Sequence, residues 1–205
     1  MNPLYLGTKE RRLFALYEPA AIKPKRTRAA VLCYPWGSEY IYAHRSMRQL
    51  AVKLSVAGFH TLRFDYFGTG DSGGETFQAS PLGAEADIEV AIDGVKDMVG
   101  ASRVALIGLR QGATLAARVA ARHAADLDSL VLWDPIYDGD LWARSKPAQY
   151  PHRSLMLVTE TEGVAKPLPG IAMESFDAPQ PWLESATTNG TVPARIIQRV
   201  TEWLA

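Results

Sequence analysis

Short apolar runs alternate along this chain with longer stretches in which apolar residues return every three or four positions. The runs are FALYEP (14–19), AAVLCYP (29–35), HTLRFDY (60–66), RVALIGL (103–109), LVLWDP (130–135), SLMLVTE (154–160) and IAMESF (171–176). Segments such as ALIGL and LVLW are apolar at nearly every position, the pattern of strands covered on both faces in a mostly parallel sheet. Between the runs the spacing predicts helices. Residues 42–57 place Met47, Leu50, Ala51, Leu54 and Ala57 on one face and stop at Gly58. Residues 82–99 set Ile88, Ile92, Val95 and Val99 on a stripe, with Glu85, Glu89, Asp93 and Lys96 on other faces. Residues 111–125 are alanine-rich, which suits a helix lying close to a sheet, and residues 192–204 form an amphipathic helix with Pro193 near its first turn. Strand and helix alternating from residue 29 onward predict right-handed βαβ crossovers and a doubly wound α/β sheet. In such sheets the ligand site lies beyond the carboxyl ends of the strands.

Composition narrows the picture. The 205 residues, 47% apolar and 21% charged, fit one globular domain spanning 1–205 and exclude intrinsic disorder. Twenty-two basic and 22 acidic residues cancel, so the chain lacks the basic surface of a general nucleic-acid binder. Cys33 is the single cysteine, which rules out an internal disulfide and a cysteine-rich metal centre. His44, His60, His123 and His152 show no metal-ligand spacing. The opening MNPLYLGTKERRLF lacks the apolar run of a leader. No stretch reaches the roughly 20 apolar residues of a membrane span. The expectation is a cytoplasmic protein that engages no membrane and holds no metal.

Four motifs carry potential chemistry. GDSGG (70–74) matches the nucleophile string of trypsin-like proteases. Those are all-β and disulfide-bonded, with histidine and aspartate far ahead of the serine, and helical patterns dominate here. GTGDSG (68–73) has the spacing of a dinucleotide loop, but Asp71 would stand where a pyrophosphate must approach. ETFQASP then delays the next helix to about residue 82. No cofactor is expected. GLRQG (108–112) follows an apolar strand and opens a helix, the setting of the G-x-S-x-G nucleophile elbow. The nucleophile position holds Arg110, whose guanidinium stays protonated and cannot attack a carbonyl. YPWGSEY (34–40) follows the strand AAVLC as a Pro/Gly turn.

In combination, YPWG after a strand, GFHTLRFDYFGTGDSGG, VALIGLRQGATLAA and LVLWDP resemble the α/β-hydrolase superfamily over about residues 28–136. FDYFGTGDSGG resembles that superfamily's D-x-x-G-x-G-x-S turn after the fourth strand. The chain is similar in particular to the serine-aminopeptidase-like hydrolases found near exosortase and nonribosomal-peptide biosynthesis genes, a branch that tends to carry arginine at the elbow in a GLRLGA-like string. The resemblance implies an α/β-hydrolase fold. It puts the nucleophile position on Arg110, the first oxyanion N–H on Gln111 and the second on the Trp36–Gly37 stretch. The acid falls on Glu160 or Glu162, or at a variant position on Asp134. The histidine is expected in 177–191, and DAPQPWLESATTNGT contains none.

His60 and His152 sit at amino ends of strands, and His123 lies near the far end of the helix after the elbow. Only His44, beyond the YPWGSEY loop, is expected on the active face. Ser38 and Ser72 lack a base in reach. Arg110 with the helix-start N–H groups behind it makes an anion site, unless Glu39, Asp134, Glu160 or Glu162 neutralises it internally. Asp134 and Glu39 are candidate acid/base groups, although a carboxylate beside Arg110 is a weak base. About 18 residues (135–152) follow LVLWD, enough for a minimal lid with a short helix at DGDLWARS. Trp36, Tyr40, Tyr66, Phe67, Trp133, Trp142 and Trp182 gather near predicted loop ends, and Trp133 is expected to be core.

Three readings stand open. The first is a hydrolase-fold protein without the Ser-His-Asp triad. It would bind an anionic, acyl or carboxylate small molecule through Trp36, Gly37, Arg110 and Gln111, in a biosynthetic pathway. The second is an active hydrolase or acyltransferase using Glu39, His44, Arg110 and Asp134. The third is a non-catalytic scaffold or homodimer.

Overall fold

Eight strands form one sheet in the order β1-β2-β4-β3-β5-β6-β7-β8 in this computed structural model, which describes residues 1–22, 26–144, 146, 149–159, 167–183 and 192–205. The strands are β1 (Asn2–Gly7), β2 (Arg12–Glu18), β3 (Ala29–Cys33), β4 (His60–Phe64), β5 (Val104–Leu109), β6 (Leu127–Trp133), β7 (Ser154–Val158) and β8 (Ala172–Ser175). β1 pairs antiparallel with β2, and β2 antiparallel with β4; every other pairing is parallel. The central strands β3 and β5 are buried at every residue, as their unbroken apolar runs require. The edge strand β1 alternates, with Leu4 and Leu6 packed inward and their neighbours exposed.

The helices are α1 (Ser38–Val56), α2 (Pro81–Val99), α3 (Gln111–His123), α4 (Gly139–Arg144) and α5 (Ala194–Leu204). α1 packs with α5, and α2 with α3, so the sheet is covered on both sides. α2 begins with a Ser80 hydroxyl accepting from the Gly83 N–H, Pro81 in its first turn, and ends at Gly100 in the left-handed region. Between β6 and β7 the described chain carries only the six-residue α4. Asp138 caps it by accepting from the Asp140 and Leu141 N–H groups, and pairs with Arg118.

The structure departs from the sequence expectation at three ends. β1 extends the sheet beyond FALYEP; its Leu4/Leu6 alternation is only three residues deep. α1 starts at Ser38 rather than 42, because Gly37 (φ 64) lets the chain turn directly into the helix. β6 starts at Leu127, with a register irregularity opposite Val104/Ala105. Glu160 and Glu162 lie outside the described residues, as does most of the segment in which a histidine was expected.

Candidate functional site

Gly108 is the second-last residue of β5, and Gly112 is the second residue of α3. A Cβ on Gly108 would lie 2.4 Å from both the Ala113 Cα and the Gly112 carbonyl oxygen. On Gly112 it would meet the Cys33 and Tyr34 carbonyl oxygens, each at 2.4 Å. The strand-to-helix bend therefore closes only with glycine on both sides. Between them Arg110 takes φ 55, ψ −122, a conformation non-glycine side chains rarely occupy. Its N–H donates to the Trp133 carbonyl (2.9 Å), while its own carbonyl accepts from the Ala113 and Thr114 N–H groups.

The Arg110 side chain is 17% exposed. Its Nε donates to Glu39 Oε1 at 3.3 Å, and its guanidinium carbon stands 4.8 Å from the centroid of the buried Trp182 ring. Glu39 belongs to the first turn of α1, where a carboxylate complements the positive helix end. β3 and β5 are hydrogen-bonded neighbours, with Cys33 opposite Gly108. The Trp36–Gly37 loop that leads into α1 therefore adjoins the Gln111 end of α3, and two helix starts converge on one ion pair. Helix starts present backbone N–H groups without intrahelical acceptors. The Trp36 indole N–H is buried and has no acceptor among the described residues.

The other candidates go elsewhere. Asp134 ends β6 at φ 44 and is 3% exposed. Its carboxylate accepts from the Thr159 N–H (2.7 Å) and from the Thr159 hydroxyl, tying β6 to the end of β7. His44 is exposed on α1, its ring 6.1 Å from that of Tyr34 and 6.4 Å from that of Tyr40. It borders a small cavity of about 80 Å³ with Arg63, Asp65 and Asp71. Partial desolvation, and then the charge of Arg63, hold its pKa below the ordinary histidine value. His60 bonds the Tyr17 hydroxyl at the opposite end of the sheet, where the sequence placed it. Trp133 is fully buried; nothing is described of the Trp142 side chain. The Cys33 thiol is buried and its pKa is pushed up by desolvation, which removes it as a nucleophile.

The GTGDSGG string forms a self-contained turn. Asp65 accepts from the Tyr40 hydroxyl (2.7 Å) and from the Asp71 N–H (2.9 Å). Gly70 (φ 52) is needed because a Cβ there would fall 2.1 Å from Asp65 Oδ2. The Ser72 hydroxyl donates to the Asp65 carbonyl (2.6 Å) and accepts from the Phe14 N–H (2.8 Å). It is neither a protease nucleophile nor part of a phosphate loop. Sequence reasoning missed two partners, Trp182 on Arg110 and Thr159 on Asp134. The latter had a local signal, a threonine immediately after the strand SLMLV.

Comparison with known proteins agrees with this geometry. The fold matches a protein of unknown function from Agrobacterium tumefaciens (TM-score 0.73, 17% identity, 99% of this chain and 94% of that one). A lidless α/β serine hydrolase from Xanthomonas campestris matches similarly (TM-score 0.72, 17% identity, 99% and 93%). Est1E from Butyrivibrio proteoclasticus with ferulic acid bound aligns over 64% of this chain, which spans about half (52%) of that chain (TM-score 0.57, 20% identity). No curated protein matches the sequence. One family model, that of serine aminopeptidase S33, matches the sequence. It matches residues 28–170, and the chain belongs to that family, within the α/β-hydrolase superfamily.

Proposed function

We propose that this α/β-hydrolase-fold protein binds a small carboxylate or acyl compound at the elbow and does not process it through a serine acyl-enzyme. One observation carries the reading: the bend built to display a nucleophile displays Arg110 instead, at φ 55. A guanidinium cannot attack a carbonyl, but it recognises a carboxylate by two parallel N–H···O bonds. The sequence offers no histidine over 177–191, and the serine of GDSGG spends its hydroxyl on the Asp65 carbonyl.

Glu39 fits a placeholder role. Its carboxylate meets Arg110 through a single long contact of 3.3 Å, a weaker arrangement than a bidentate pair. A ligand carboxylate entering between the two helix starts would compete with Glu39 for the guanidinium and accept from backbone N–H groups such as that of Gln111. Ferulic acid, bound by the Butyrivibrio protein, is a carboxylate with which to probe this.

The test is a thermal-shift and calorimetric titration with ferulate and hexanoate. Stabilisation is expected in the wild-type protein, stronger in Glu39→Gln and absent in Arg110→Ala. A fluorophosphonate probe should label no serine. Labelling of a serine, or p-nitrophenyl ester turnover lost in both Arg110→Ala and Asp134→Ala, would overturn the proposal in favour of an active hydrolase. No shift with either acid, together with a tight dimer, would overturn it in favour of a scaffold.

A further inference from the structure

The opposite edge of the sheet holds a second, chemically different cavity. Its volume is about 430 Å³, and it lies among the amino ends of β3, β5, β6 and β7. Counting about 3.3 Å per strand residue, the six residues of β5 set it roughly 20 Å from the elbow. Arg26, Arg28, Arg103 and Arg153 line it, with Phe59; Asp128 is the acidic side chain in the lining. Among the described residues none of these four guanidinium groups lies within ion-pair distance (4.0 Å) of a carboxylate. Arg11, Arg110, Arg118, Arg122, Arg144 and Arg199 do, while Arg12, Arg45, Arg48, Arg63 and Arg195 do not; what sets these four apart is that they line one cavity. Even with a terminal carboxylate at Ala205 added to Asp128, the cavity keeps an excess of two positive charges.

Two of the arginines have structural work. Arg28 donates to the Leu204 carbonyl and lies over the Phe59 ring (3.9 Å), and Arg153 donates to the Trp203 carbonyl and lies over the Trp203 ring (5.1 Å). Both satisfy the orphan carbonyls at the end of α5. That role leaves Arg26 and Arg103 unexplained. Among the described residues Arg26 reaches only the Ser102 hydroxyl, at 3.4 Å, and both side chains are exposed at the mouth of the cavity. Burial and the neighbouring Arg153 charge lower the pKa of Arg28, with Asp128 opposing. A cluster of like charges that is not neutralised from within is stabilised by an anion from without.

We propose that this cavity is a binding site for a small molecule bearing two or more phosphate groups, held by Arg26, Arg28, Arg103 and Arg153 and independent of the elbow. Guanidinium forks match phosphate oxygens, and four of them exceed what a single carboxylate needs. The volume falls in the range of small-molecule sites.

Titration calorimetry with inorganic pyrophosphate at low ionic strength tests it. One molecule should bind per chain, and 0.5 M sodium chloride should suppress the heat. Arg103→Gln and Arg26→Gln, both at exposed positions, should each weaken binding about tenfold, with melting temperature unchanged. Arg110→Ala should leave it intact, which separates failure here from failure at the elbow. Absence of binding, binding insensitive to both glutamine variants, or loss of binding in Arg110→Ala would each overturn the proposal. So would retention of RNA or anionic vesicles by a protein that ignores pyrophosphate.

Discussion

The elbow and the turn after β4 are two glycine-rich loops that fare differently in this protein. In the turn, Asp65, Gly68, Gly70 and Ser72 all stand where the superfamily pattern has them, and each polar side chain is consumed locally. At the elbow the flanking glycines stand, and the residue between them is Arg110. The turn is a mutual arrangement, in which Ser72 holds Asp65 and Phe14 while Asp65 holds Tyr40 and Asp71. Altering one member strands the others. The elbow is held by backbone and by Gly108 and Gly112 pressed against Ala113, Cys33 and Tyr34, so its apex side chain carries none of the bend.

The largest test of that contrast is Gly112→Ala. The added methyl would meet two backbone oxygens that cannot retreat without moving β3, and a loss of about 3 kcal/mol or more in urea unfolding is expected. Ser72→Ala should cost about 1–2 kcal/mol, because the Phe14 N–H loses its acceptor. If it is neutral, the turn is not mutual. Arg110→Gly should give the smallest effect and the opposite sign. Relief of the φ 55 strain, set against the added freedom of glycine in the unfolded chain and the lost contacts with Glu39 and Trp182, leaves a gain of about 1 kcal/mol at most. A destabilised Arg110→Gly would mean that the side chain does hold the bend.

Much of this was legible in the residues. Unbroken apolar runs gave β3 and β5, three-and-four spacing gave α2, and the resemblance of FDYFGTGDSGG to a superfamily turn gave the Asp65 loop. β1 was not, since two inward leucines cannot outweigh a proline and a glycine. The partner of Arg110 was legible only as a set. Among the described residues, packing turns Glu39 in the first turn of α1 toward Arg110 while Thr159 engages Asp134 at the end of β6; Glu160 and Glu162 lie outside the described residues. The Arg26–Arg153 cluster was invisible along the chain, because its members come from three segments separated by tens of residues and the net charge is zero.

Because the sharp bend after β5 rests on two small residues and on neighbouring main chain, what stands at its tip can be exchanged without rebuilding the scaffold. Genome surveys that anchor on a serine there would pass over such proteins. A search keyed to the paired glycines and the aspartate-to-serine loop upstream would recover them, and would gather the natural variants of that tip into one set.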